Sequence, residues 1–351
     1  MVVVNNQKWL HKIHEFCVVT YISHLDATAL SDSNHVQRTQ SLNWYPVNVT
    51  SSKQEDSTQT SSSRLRVASI RFLNPAPLMW DFVHEPHQTN LAPRYQLEWM
   101  LPSACADRLA LPIGHTDAAD IGLIPVAALA TIPGLRIIPG CAIASKRKVR
   151  SILLVRRAGQ PLEQIRTIAT DTSSRSSLAY TQILFRRWWN PNATFVPHHP
   201  DLDPMLDTAD AAMLIGDPAL FALEERQNRE ERTGEQLIYH DVAEEWIAKT
   251  GSPWVAAVWA IRESSLAASG RTLDEIAQDF TASRDHGLAN IESLVTEWSA
   301  KLPIPANTIR EYLTGNIFYY LDEECLSGLR TFYALAAETG VLPPYKLEAE
   351  S

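Results

Sequence analysis

The sequence predicts an α/β protein of two lobes, and three observations carry this expectation. Strand-like apolar runs alternate with helix-like ones; the alternation starts a second time instead of extending one sheet; and two long apolar runs, near residues 150–157 and 254–262, stand where the chain would pass between lobes. With 351 residues, 45% of them hydrophobic and 20% charged, the chain can bury a substantial core. A formal charge of -9 argues against nucleic acid or an anionic membrane surface as partner and leaves a small molecule as the expected ligand.

The first folded element is the run RVASIRF from Arg66, ended by the turn residues Asn74 and Pro75. DIGLIPVAALA reads as strand, turn and short helix, and RSILLV as a buried strand. TIATD then opens the second set, followed by a helix in SSRSSLAYTQILFRRWW and strands in ATFVPH and AAMLIGD. WVAAVWAI, from Trp254 to Ile261, is a third long apolar strand. The remainder reads as helical, opened by a capping box from Thr272 to Glu275 and closed by a helix with Gly340 just past its end. Residues 1–64 read differently: the Ser-, Thr- and Gln-rich end of this stretch cannot repay the entropy of ordering it, so it is expected to be disordered or loosely docked, and dispensable.

The four cysteines, Cys17, Cys105, Cys141 and Cys325, are too few and too scattered for a disulfide framework and form no Cys-x-x-Cys pair. No apolar run reaches the ~18 residues of a spanning helix. The opening MVVVNNQKWLHKIHEF has no secretory core, so a cytoplasmic location is expected. Nucleotide-binding glycine loops, the G-x-S-x-G elbow and H-E-x-x-H are all missing from the sequence. The pairs His11/His14, His84/His87 and His198/His199 each lack a third ligand nearby in sequence, so neither a metal nor a cofactor is expected.

Two features point to a ligand that is an anion. DTSSRSS, residues 171–177, crowds five hydroxyl residues and an arginine onto one strand-to-helix turn, where free N–H groups favour a carboxylate or phosphate; simple N-capping by Thr172 or Ser173 is the competing reading. Residues 136–162 hold Arg136, Lys146, Arg147, Lys148, Arg150, Arg156 and Arg157 with no acid, which predicts local positive potential.

Taken together, the strings RVASIRFLNPAPL, DAADIGLIPVAAL, IASKRKVRSILLV, IATDTSSRSSLAYTQIL, AAMLIGDPAL, VAEEWIAKTGSPWVAAVWAIR and YYLDEECLSGLRTF resemble chorismate dehydratase of the futalosine route to menaquinone. The resemblance runs from Arg66 to about Leu342. It departs from the family at Ala127 and Ala128, where relatives often carry polar residues, and at Pro75. It implies a two-lobed type 2 periplasmic-binding-protein-like fold with two crossover strands and a helical C-terminus, and a lyase that dehydrates chorismate without a cofactor. Asn74 and Ser151 are carried over as catalytic residues. Ser145, Ser173, Ser174, Arg175, Ser176, Gly216 and Asp217 are carried over as substrate-binding, Asp217 having an N-cap role before Pro218 as its alternative. The lobes are expected at 65–157 plus 258–345 and at 158–257. Two other functions remain open on the sequence: the sister enzyme that makes 1,4-dihydroxy-6-naphthoate, and a non-catalytic receptor for a small carboxylate.

Overall fold

In the computed structural model residues 64–347 are described, so the expectations for residues 1–63 lie outside the described residues. The strands are β1 Leu65–Ile70, β2 Tyr95–Met100, β3 Ile121–Pro125, β4 Leu135–Ser145, β5 Ile152–Arg157, β6 Thr167–Thr170, β7 Thr194–Pro197, β8 Ala211–Ile215, β9 Leu237–Asp241, β10 Trp254–Arg262 and β11 Phe318–Leu321. They form a six-stranded sheet in the order β11-β4-β10-β3-β1-β2 and a five-stranded sheet in the order β7-β6-β8-β5-β9.

Both sheets are assembled the same way. β1 runs parallel to β2 and β3, and β6 parallel to β7 and β8. In each sheet the next strand is the first one formed after the chain crosses into that lobe, and it runs antiparallel: β10 lies between β3 and β4, and β5 between β8 and β9. The chain therefore crosses between the sheets at residues 146–151 and again at 251–253. This moves the lobe boundaries expected from the sequence. Residues 152–157 pair in the second sheet and 254–257 in the first, because each long apolar run belongs wholly to the sheet it enters.

The burial pattern explains the sequence pattern. All nine residues of β10 are buried, as expected for a strand covered on both faces. In the second sheet Ile152, Leu154, Met213 and Ile215 join the large core that also contains Ile121, Leu123, Val258 and Trp259. Their alternates Leu153, Val155, Ala212 and Leu214 face a smaller core with Met205 and Leu206.

The capping box of Thr272 and Glu275 forms at the head of the helix Leu273–Ala289. The last helix, Glu323–Glu338, is followed by Gly340 at φ +67°, a left-handed stop as expected. The expectation of an all-helical remainder is corrected by β11, which pairs with β4 at the edge of the first sheet. β2, β9 and β11 all occupy sheet edges and are only partly buried; β2 and β9 mix polar with apolar residues, and β11 is only 4 residues long, so none stands out as the central strands do.

Candidate functional site

Four parallel strands deliver their carboxyl ends to one cleft, the usual place for a ligand in an open α/β sheet. The turn after β1 brings Phe72 and Asn74, β3 ends at Pro125, the turn after β6 brings Ser174, and β8 is followed by Gly216; all five residues line the cleft, together with Ser151, Ser177 and Trp254. Helices begin at the same place. Pro102 opens the helix Pro102–Ala110, Ser174 caps Arg175–Trp188, and Gly216 caps Asp217–Glu224, so the positive ends of three helices meet in this region, with Ser103 N–H already bonded to the Ser173 carbonyl and Ser177 N–H to Ser174 Oγ. The cleft is partly open to solvent, with a cavity volume of only about 30 Å³.

The lobes meet through hydrogen bonds. Leu73 N–H donates to Asp217 Oδ1 at 3.3 Å, Ala127 N–H to Ser176 Oγ at 3.2 Å, and Ser103 N–H to the Ser173 carbonyl at 3.0 Å. Ser176 and Asp217 thus use their side chains to join the lobes. Part of Asp217 reaches the surface, yet burial of its carboxyl pushes the pKa up to about 7, with the Leu73 N–H opposing the rise. Burial likewise raises Asp171 to about 6, opposed by the N–H of Ser173, which donates to Asp171 Oδ1 at 2.8 Å. Gly216 takes φ +72° and ψ -141°, and a Cβ there would stand 3.0 Å from the Phe72 ring, so both backbone and space require glycine.

Ser151 sits at the first crossing. Its Oγ accepts from Tyr312 at 2.8 Å and its carbonyl from Gly216 N–H at 2.7 Å. Arg150, just before it, holds φ +62°, a left-handed conformation that costs a non-glycine residue energy. Asp241 holds the turn in that conformation by accepting from the N–H groups of Val149 at 3.1 Å and Arg150 at 2.6 Å while capping its own helix, Val242–Thr250. The Arg150 guanidinium meets Glu224 at 2.9 Å and Glu311 at 3.5 Å.

Four polar atoms are buried without a partner at the cleft and the crossing beside it: Asn74 Oδ1, Ser173 Oγ, Trp254 Nε1 and Arg150 Nε. Buried polar atoms are seldom left unpaired, and of these four Asn74 Oδ1 is the only acceptor on a cleft-lining residue, where a ligand can supply the missing donor.

Three expectations from the sequence are corrected. Arg175 turns its partly exposed side chain to Asp107 and is not among the residues lining the cleft. Ser145 is also outside the lining; its Oγ accepts from Arg147 N–H at 3.2 Å and shapes the start of the crossing. None of the seven cations of the positive stretch lines the cleft, and three of them pair with acids distant in sequence: Lys146 with Asp322 at 2.7 Å and also Glu324, Arg150 as above, and Arg157 with Glu235 at 2.7 Å. Anion-binding capacity at the cleft therefore comes from helix starts and hydroxyls, not from cations. Phe72, Ser177, Asp241 and Tyr312 went unread. Ser177 lies within the DTSSRSS string, but no local signal could bring Tyr312 to Ser151, 161 residues away.

Two sheets joined by two crossings, each with an antiparallel strand that follows a crossing, define around their shared cleft a two-lobed periplasmic-binding-protein-like fold of the type 2 kind. Solved structures agree: AF1704 from Archaeoglobus fulgidus, at TM-score 0.57 and 13% identity, covers 81% of this chain and 100% of its own. The Candida albicans CA3427 gene product, described as having the generic periplasmic binding protein fold, gives 0.54 at 13% identity, covering 81% of this chain and 92% of its own. The aliphatic sulphonate binding protein SsuA from Escherichia coli gives 0.52 at 14%, covering 80% and 94%. These likenesses establish the fold. The chain itself belongs to the menaquinone biosynthesis family, whose model matches residues 65–338. Among the described residues no helix is long and apolar enough to cross a membrane.

Proposed function

We propose that this member of the menaquinone family dehydrates chorismate to 3-[(1-carboxyvinyl)oxy]benzoate, without a cofactor and in the cytoplasm. The observation that carries the reading is the unpartnered Asn74 Oδ1, buried in a cleft where helix starts from both lobes converge. Chorismate offers a hydroxyl for such an acceptor and two carboxylates for the helix starts. A cavity of 30 Å³ is too small for a ring substrate, so chorismate enters with the lobes parted and is sealed in as the Leu73–Asp217 and Ser103–Ser173 contacts form.

In the reaction the C3 proton leaves, the C3–H electron pair becomes the ring double bond to C4, and the C4–O bond breaks, releasing water overall. The ring becomes aromatic, which supplies much of the driving force. What such a step asks of the protein is orientation, exclusion of bulk water and donors for charge spreading onto the ring carboxylate. Asn74 holds the departing hydroxyl. Ser151, Ser174 and the N–H groups at the start of Arg175–Trp188 orient carboxylate oxygens, with Ser173 supplying a further hydroxyl. The substrate's own enolpyruvyl carboxylate is the proton acceptor in this scheme. Incubation of the purified protein with chorismate tests it: a product lighter by one water with new aromatic absorbance is expected, and unaltered chorismate would refute the reading.

A further inference from the structure

We infer that Asp81, His87 and His286 form a binding site for a divalent transition-metal ion of the zinc class. The three residues come from three helices, Trp80–Val83, His87–Leu91 and Leu273–Ala289, and their ligand atoms all lie within 4.8 Å of one another. Only the pairing of elements far apart in sequence assembles them. Gly287 permits it: a Cβ there would collide with the Pro77 carbonyl, so the long helix packs directly on the backbone preceding Asp81. Ser283 on the same helix stitches the contact, accepting from Asp81 N–H at 2.9 Å and donating to the Leu78 carbonyl at 2.9 Å.

The donor geometry suits an ion. His286 Nδ1 stands 2.9 and 3.0 Å from the two Asp81 oxygens, and His87 Nδ1 stands 3.9 Å from Oδ2. Two ligand bonds of about 2.1 Å at a tetrahedral angle place their donor atoms about 3.4 Å apart, within this range. The 3.9 Å approach is too long for a hydrogen bond, so an ion accounts for His87 where a simple Asp81–His286 ion pair does not. The rings of His87 and His286 lie side by side with centroids 4.3 Å apart, turning both Nδ1 atoms toward one carboxylate. That carboxylate side chain is 7% exposed while the imidazoles are 38% and 43% exposed, which gives an anchored acid with an open entry path. Two imidazoles and one carboxylate suit zinc, cobalt, nickel or copper better than magnesium or calcium, and three protein ligands leave a position for water. The neighbouring His84 is engaged elsewhere, with Glu297 Oε1 at 2.7 Å and the Trp80 carbonyl at 3.1 Å. A bound ion would tie the segment that follows Asn74 to the helix Leu273–Ala289, bracing the first lobe's side of the cleft.

Full-length protein stripped with a chelator and titrated with Co²⁺ should show one equivalent bound with visible d–d absorption, and Zn²⁺ should displace it. Outer-sphere partners of a metal are worth about 10- to 100-fold in affinity, so loss of a direct ligand in His286→Ala or His87→Ala should cost at least tenfold. His84→Ala should bind as the parent does. A second measurement needs no variant: saturating Zn²⁺ should protect His87 and His286 from diethyl pyrocarbonate, as mapped by peptide mass. Equal modification of both residues with and without Zn²⁺, or unchanged Co²⁺ affinity in folded His87→Ala/His286→Ala protein, would overturn the assignment.

Discussion

Tyr312 donates a 2.8 Å hydrogen bond to the Oγ of Ser151, joining a helical turn late in the chain to the first crossing between the sheets. The turn is a π-helical one, Tyr312–Asn316, a conformation found disproportionately at functional sites, and its Asn316 also donates to the Lys148 carbonyl at 3.3 Å. Burial holds the Tyr312 phenol well above its ordinary pKa, so it remains a donor, and with that bond entering its oxygen Ser151 has its own proton free for a ligand. Tyr312→Phe keeps the ring and removes one hydrogen bond worth about 0.5 to 1.5 kcal/mol. Turnover of chorismate should fall by up to about tenfold with KM little changed. A parent-like kcat would show that Ser151 needs no such support.

The two-lobed architecture was legible in the sequence because covered central strands such as β5, β8 and β10 leave continuous apolar runs. The sheet that β5 and β10 each join, which sets the lobe boundaries, was not, since a buried strand reads alike in either sheet. The cleft was half legible. Asn74, Ser174 and Gly216 sit at strand-to-helix turns, which composition reveals. Arg175 misled because Asp107, its partner, lies 68 residues earlier, and the basic stretch misled because Asp322 and Glu224 come from distant helices. Charge summed along a chain does not give charge summed in space.

The crossing turn should be sensitive to Asp241. Its carboxylate serves Val149 and Arg150 besides capping Val242–Thr250, so Asp241→Ala removes a cap and orphans two further N–H groups. Together these should cost about 2 to 4 kcal/mol in denaturant unfolding. Activity should fall by more than stability alone explains, because Ser151 follows the strained Arg150. A variant within 0.5 kcal/mol of the parent, roughly the size of an ordinary surface substitution, would contradict this.

Asp217 predicts a pH dependence of defined sign. Burial raises its carboxyl from 3.8 to about 7 in the folded protein, so the fold favours the protonated form. Its contribution is full below the unfolded value of 3.8 and is lost as pH rises through about 7. Asp217→Asn keeps an oxygen for Leu73 N–H but cannot ionise. The stability of this variant relative to the parent should therefore increase between pH 4 and pH 7, roughly the span between the two values, and level off above it. Denaturation midpoints that run parallel across this range would refute the assignment.

Arg175 and Ser174 should part company. An exposed ion pair such as Arg175–Asp107 is worth about 0 to 1 kcal/mol, so Arg175→Ala should change chorismate affinity by no more than about fivefold. Ser174 lines the cleft and caps Arg175–Trp188 by accepting from Ser177 N–H at 3.5 Å. Ser174→Ala should weaken binding about tenfold, the loss of one hydrogen bond to a charged group. Calorimetric titration of both variants tests the pair, and the reverse ranking would return Arg175 to the substrate's carboxylate.

Asn74 carries the mechanistic prediction. Its Oδ1 is buried and unpartnered, an arrangement that costs about 1 to 3 kcal/mol unless a ligand completes it. Oδ1 can accept from the substrate hydroxyl and so position it, while the Nδ2 amino group of the same amide, if it donates to the hydroxyl oxygen as it leaves, gains strength along the reaction coordinate as charge develops there, and only interactions that do so accelerate chemistry. Removal of one preorganised group of this kind typically costs about 2.7 to 4 kcal/mol. Asn74→Ala should therefore lower kcat on the order of a hundredfold to a thousandfold while chorismate binding weakens far less. Asn74 also shapes the turn before Pro75 and the short helix Ala76–Met79, so a structural role predicts a different outcome. Asp at position 74 preserves size and turn preference yet replaces the amide by a charge. If the turn alone matters, Asn74→Asp should keep most of the single-turnover rate; if the amide acts on the substrate, both variants should be slow, with their folds and melting temperatures close to the parent's.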